Sequence, residues 1–183
     1  MNFDLPYMER IIKARTLKEC FTIDEDRSFS LRLVFTAVAN HVYGAKVCFR
    51  LYQRNLWKRM KSNESPNPSR ILNRILFIIF HLEISPVAEL EPGILGLWYG
   101  WQVTAGSKIC RGAKLEKGVS LVPSKNGTPT VLSGACLHTY CVIMGAVIIG
   151  KNSIIGANSV VITDVEENTT VMGNPARKVF TNA

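Results

Sequence analysis

The chain has 183 residues, 47% of them hydrophobic and 20% charged, with a net charge of +8. That length allows one domain of usual size or two small units sharing an interface, and the composition is that of a packed protein. Five scattered cysteines, Cys20, Cys48, Cys110, Cys136 and Cys141, form no paired spacing; they read as reduced thiols, which excludes a disulfide frame and a zinc site.

In chain order, residues 1–82 read as an α-helical N-terminal domain. The start, Met1-Asn2-Phe3-Asp4-Leu5-Pro6, lacks an apolar signal region. Apolar and basic residues then mix at near-helical spacing from Ser30 to Tyr52, after helix-capping candidates at Asp24, Asp26 and Ser28. Residues 1–80 hold 14 Lys and Arg against 7 Asp and Glu, whereas residues 81–183 hold 8 against 7. A basic surface favours polyanions or an anionic membrane face. No nucleic-acid-binding signature accompanies the charge, so nucleic acid is not an expected partner; peripheral membrane contact through this domain is. The apolar run at residues 71–82 is too short to span a bilayer and carries Arg74. It reads as a cap on the exposed end of a repeat that begins at residue 83.

Residues 83–172 have a period of six. Val131, Leu137, Ile143, Ile149, Ile155 and Val161 fall six residues apart, and Val103, Ile109, Leu115 and Leu121 keep the same spacing upstream, with Ile84 and Leu90 at its start. Neither the 3.6-residue repeat of a helix nor the alternation of a lone strand produces six. A triangular parallel β-coil does: one short strand per face, a corner, then the next face, with each aliphatic on the axis. Small residues recur two positions earlier, and Gly150 and Gly156 follow two of the aliphatics, where a turn can require positive φ. The row breaks twice. One extra residue falls between Leu90 and Val103, and four fall between Leu121 and Val131, where the turn-rich Pro123-Ser124-Lys125-Asn126-Gly127-Thr128-Pro129 projects as a loop within residues 122–130. Residues 173–183 read as a C-terminal tail.

Residues 145–161, in which Gly145, Gly150 and Gly156 punctuate aliphatic pairs, and the following Gly173-Asn174-Pro175-Ala176-Arg177-Lys178-Val179 resemble the hexapeptide-repeat acyltransferases. Glu83-Ile84-Ser85-Pro86-Val87-Ala88 is similar to that family's start of the first coil. The resemblance implies a left-handed parallel β-helix, assembly as a homotrimer, and acyl transfer from acetyl-CoA without a metal. A helical N-terminal domain points within the family to serine acetyltransferases and to the O-acetyltransferases of capsule and exopolysaccharide synthesis. The near-neutral coil faces also suit self-association. Gly156, Ala157 and Ser159 are small enough to let a pantetheine arm approach the backbone, and Arg177 and Lys178 suit nucleotide phosphates.

Acetyl transfer to a hydroxyl needs a general base, most often His. The resemblance places a first His near Leu97 or Trp98 and a second at Thr128, so both are replaced here. Three histidines remain. His41 and His81 read as structural. His138 directly follows Leu137 at a corner and is the base candidate, with Glu83 at the family's acidic position as the alternative base. Loss of both histidines, together with the aromatic cluster Trp98-Tyr99-Trp101 suited to a sugar ring, favours an O-acetyltransferase acting on a saccharide in surface polysaccharide assembly. That role sets the expected location in the cytoplasm, at the inner face of the membrane. The alternatives are a serine acetyltransferase with an atypical site, or a catalytically silent β-helix that binds CoA or a partner. A zinc hydratase on this fold would need three converging histidines and is excluded.

Overall fold

The computed structural model describes Arg74 and residues 77–85, 88–91, 93–96 and 99–181. The chain divides into two compact units, Met1–His81 and Leu82–Ala183. The readings of residues 1–73, including His41 and the basic helical segment, lie outside the described residues. Of the first unit, residues 77–80 are helical, and the His81 amide donates to the Phe77 carbonyl at 3.0 Å. Among the described residues no helix is long and apolar enough to cross a membrane.

The second unit is a parallel β-solenoid with three faces. The first carries Glu83–Ile84, Gln102–Val103, Ser120–Val122, Val142–Met144 and Val160–Val161. The second carries Glu89–Leu90, Lys108–Ile109, Thr130–Val131 and Ile148–Ile149. The third carries Leu95–Gly96, Lys114–Leu115, Cys136–Leu137, Ile154–Ile155 and Thr169–Gly173. Each strand hydrogen-bonds to the equivalent strand one coil on, so the backbone groups of a two-residue strand are satisfied only by neighbouring coils. The predicted row is the axis: Ile84, Leu90, Val103, Ile109, Leu115, Leu121, Val131, Leu137, Ile143, Ile149, Ile155 and Val161 are all buried. Each such side chain contributes on the order of 2 kcal/mol by leaving water.

Both breaks in the period have structural counterparts. Register partners on the first face are 19 residues apart between Glu83 and Gln102, 18 between Gln102 and Ser120, 22 between Ser120 and Val142, and 18 between Val142 and Val160. The four extra residues form a tight turn in which Ser124 and Gly127 exchange backbone hydrogen bonds at 2.9 and 3.2 Å. The single extra residue lies beyond Gly96, because Gly96 itself fills the axial slot six after Leu90 and pairs with Leu115. A glycine conceals that position from any search for aliphatics. Nothing larger fits: a Cβ there would lie 1.8 Å from the Leu115 carbonyl oxygen, and φ is +114°.

Two expectations change. Gly150 and Gly156 are not at positive φ; they are there for space. A Cβ on Gly150 would meet the Glu167 backbone at 2.5 Å, and one on Gly156 would meet the Met172 side chain at 2.6 Å. The segment after residue 172 is also not a loose tail. Ala176–Thr181 runs antiparallel to Thr169–Gly173 and adds a last strand to the third face.

Replacing Gly96 with Ala should cost about 3 kcal/mol or more, from overpacking added to a strained dihedral. At Gly112, where φ is +77° but the nearest atom to an added Cβ is 3.8 Å away, the same change should cost about 1 kcal/mol. Urea unfolding of the two variants measures the difference, and equal losses would contradict the packing account.

Candidate active site on one solenoid corner

The corner that leads from the third face back to the first stacks the same positions coil after coil. Amide-to-carbonyl hydrogen bonds link Gly118 to Tyr99, Tyr140 to Lys117, and Asn158 to Thr139, at 2.9–3.1 Å. Glu116, His138 and Gly156 form the adjoining column, through the Glu116 amide to the Leu137 carbonyl and the His138 amide to the Ile155 carbonyl. The corner backbone is left-handed at Gly118, and also at Tyr140, where φ is 58°. Gly118 has a second reason to be glycine. The Tyr140 ring lies across it, and a Cβ would fall 2.2 Å from Cδ1. Lys117 Nζ stands 5.2 Å from the centroid of the Tyr99 ring, a cation–π distance.

His138 is half-exposed, and its Nδ1 lies 3.1 Å from Glu116 Oε2. The Thr139 hydroxyl donates to the same oxygen at 2.9 Å, and Lys114 Nζ approaches the other carboxylate oxygen at 3.6 Å. The hydrogen bond from His138, reinforced by that from Thr139, holds the Glu116 carboxyl below its ordinary range. On the other side of the ring, Nε2 lies 3.9 Å from Cys136 Sγ. The imidazole is thus held by a carboxylate on one nitrogen and offers the other to a neighbour, the arrangement a general base requires.

Glu116 and Cys136 were not anticipated from sequence. Glu116 is detectable there: adding the four inserted residues to the 18-residue coil puts it 22 before His138, directly beneath it. Glu83, the alternative base, is exposed and accepts a hydrogen bond from Gln102 Nε2 at 3.0 Å. It stands on the first coil, two coils from His138, roughly 10 Å along the rod at the usual interstrand spacing. The structure does not bring the two together. Thr128, where the second family His would stand, donates its hydroxyl to the Gly106 carbonyl at 2.9 Å. His81 belongs to the other unit.

Of the residues matched to CoA, Ala157 is exposed on the corner, whereas Gly156 and Ser159 are buried. Met172 lies over Gly156, and the Ser159 hydroxyl accepts the Gly173 amide at 3.0 Å. Arg177 and Lys178 are exposed and line a cleft of about 280 Å³ with Thr163, Asp164, Glu166 and Thr169. Lys178 Nζ pairs there with Glu166 at 2.7 Å, which lowers the Glu166 carboxyl below its ordinary range.

Residues 128–163 match the family model described as bacterial transferase hexapeptide, six repeats. Serine acetyltransferase of Bacillus pumilus is 27% identical over 159 residues, covering 83% of this chain and 69% of that protein. Serine acetyltransferase of Synechococcus elongatus is 30% identical over 148 residues, covering 75% of this chain and 57% of that protein. A serine acetyltransferase crystallised in complex with CoA superposes with a TM-score of 0.72 at 26% identity, covering 93% of this chain and 73% of that one. The chain therefore spans between 57% and 73% of the length of these relatives.

The expectation of a sugar acceptor is overturned. These relatives are serine acetyltransferases, and the loss of two histidines was no argument for a saccharide. Of the aromatic cluster invoked for ring stacking, Trp98 lies outside the described residues and Tyr99 is half-exposed on the corner. Trp101 is completely buried, with its indole N–H donating to the Glu116 carbonyl at 2.8 Å, so it fills the coil and presents no face to a ligand. The chain is thus a β-solenoid protein similar to bacterial hexapeptide transferases over residues 128–163 and to serine acetyltransferases over most of its length.

Proposed function

We propose that the chain is an acetyl-CoA-dependent O-acetyltransferase of the serine acetyltransferase type, in which His138 and Glu116 replace the absent family histidines. The observation that carries the reading is the 3.1 Å contact between His138 Nδ1 and Glu116 Oε2 on an exposed corner. Held this way, Nε2 is the basic nitrogen. It takes the proton of an acceptor hydroxyl as the oxygen attacks the acetyl carbonyl, and later returns it to the departing thiolate. Glu116 stabilises the imidazolium formed between those steps, and the Thr139 hydroxyl fixes the carboxylate. Lys114 and Lys117 make this corner cationic, which suits the carboxylate of an amino-acid acceptor.

CoA enters this reading as the acyl donor. Exposed Ala157 leaves the corner open beside His138, and the cleft at Arg177 and Lys178 is sized for phosphates, being at the small end of ligand pockets. Lys178 can exchange its exposed Glu166 partner for a phosphate, since such a surface pair adds little stability. We read the coils as left-handed, and three copies as assembling so that a neighbour's surface closes the corner groove. Light scattering that gives a stable monomer would contradict the shared groove.

The reading is tested by following thiol release from acetyl-CoA with serine as acceptor. Turnover should depend on serine and fall about 10²–10⁴-fold in His138→Ala. CoA binding without turnover on serine would instead mark a silent scaffold. The pair also predicts a pH-dependent stability. Because the folded-state pKa of Glu116 is depressed, its contribution is complete above the ordinary carboxylate range and is lost as pH falls through the folded value. Glu116→Gln should therefore cost about 1 kcal/mol near neutral pH, and the gap to wild type should narrow below about pH 4. Urea titrations at both pH values measure it, and a gap constant with pH would show that the pairing does not stabilise the fold.

A further inference from the structure

The base on this corner has a nucleophile beside it. Cys136 projects outward from the third face one coil above Lys114, is half-buried, and places Sγ 3.9 Å from His138 Nε2. With the 3.1 Å contact from His138 Nδ1 to Glu116 Oε2, the three side chains make a thiol–imidazole–carboxylate array in the order that activates a nucleophile. The carboxylate is committed to this geometry by Thr139 and Lys114. The other described cysteines are differently placed. Cys110 and Cys141 are buried, and burial pushes the Cys141 thiol up to about 12. Burial also raises the Cys136 thiol, so at neutral pH it is a protonated thiol that needs a base, and the base is in contact with it.

We propose that Cys136 accepts the acyl group covalently, so that transfer proceeds through an acetyl-thioester on this residue. This rests on the acyl-donor reading above but not on the identity of the acceptor. His138 Nε2 removes the Cys136 thiol proton as Sγ attacks the acetyl carbonyl carbon. The tetrahedral adduct collapses with cleavage of the bond to the CoA sulfur, and that thiolate leaves with the proton held by His138. One thioester is exchanged for another, so no oxidant, reductant or further reactant is required. In the second half, the acceptor hydroxyl gives its proton to His138 and attacks acetyl-Cys136, and Cys136 leaves as a thiolate that recovers that proton. The Lys114 ammonium, on the same outward column, offsets the negative charge on the carbonyl oxygen in both halves.

The full-length protein, incubated with acetyl-CoA and no acceptor, should gain the mass of one acetyl group on the peptide containing Cys136, labile to hydroxylamine. It should also exchange isotopically labelled CoA into acetyl-CoA. Both signals should vanish in Cys136→Ala and fall at least about 10²-fold in His138→Gln. Cys136→Ser, close in shape to the native residue, guards against a packing defect, and should retain the native unfolding transition while losing the exchange. Serine acetylation at the wild-type rate in Cys136→Ala would overturn the thioester and leave the proposed function standing. Acetyl-Cys136 formed without transfer to serine would support the thioester and sink the choice of acceptor. Absence of both adduct and turnover would overturn both.

Discussion

Every strand of the solenoid is two or three residues long apart from the last pair, and no strand of that length is stable by itself. What makes them strands is the coil above and the coil below, which supply the hydrogen-bond partners and bury the axial side chain. The stack of aliphatics from Ile84 to Val161 is therefore both core and template, because it fixes the register that carries every outward residue to its place. Glu116 meets His138 only because Leu115 pairs with Leu137 on the axis. The site is a by-product of that alignment, with two coils each contributing an adjacent residue.

Much of this was legible in the period. The axial residues, the extra residue in the first coil and the four-residue loop all follow from counting in sixes. What escaped the count is instructive. Gly96 occupies an axial slot without an aliphatic side chain, because the Leu115 carbonyl leaves it no room. Gly150 and Gly156 look like turn glycines but are kept small by the backbone and side chain of the next coil, contacts between residues some 16 apart in the chain. Trp101 reads as a surface aromatic only if its neighbours are unknown. It stands where later coils carry Val119, Cys141 and Ser159, so the same inner column runs from large to small along the rod.

The site was half visible for the same reason. His138 could be picked out as a corner residue from its place after Leu137. Glu116 lies at a distance set by the coil, 22 residues away, whereas Cys136 is two residues away on the same outer surface and was passed over. A search for the family's own histidines looks at positions where this chain has Leu97, Trp98 and Thr128. It passes over a carboxylate and an imidazole on one corner and a thiol on the strand that leads into it. The inference of an acyl donor survives that substitution better than the inference of an acceptor. The donor rests on the solenoid and its relatives, whereas the acceptor rested in part on Trp101, which fills the coil.

The 22-residue coil has a consequence for how such a chain can change over time. Inside the rod, extra residues are tolerated only where the axial row is restored afterwards, as it is beyond Gly96 and beyond Leu121. The turn at residues 123–129 shows one way out: surplus residues are expelled sideways, pinned by the bonds between Ser124 and Gly127, and the ladder resumes at Thr130 in the register it had before. The antiparallel strand Ala176–Thr181 closes the other route, because it ends the parallel ladder where another coil would be added. On the third face, variation that leaves the axial row intact falls on outward-facing residues and side loops. His138, Glu116 and Cys136 occupy such outward positions, beside the axial Leu115 and Leu137.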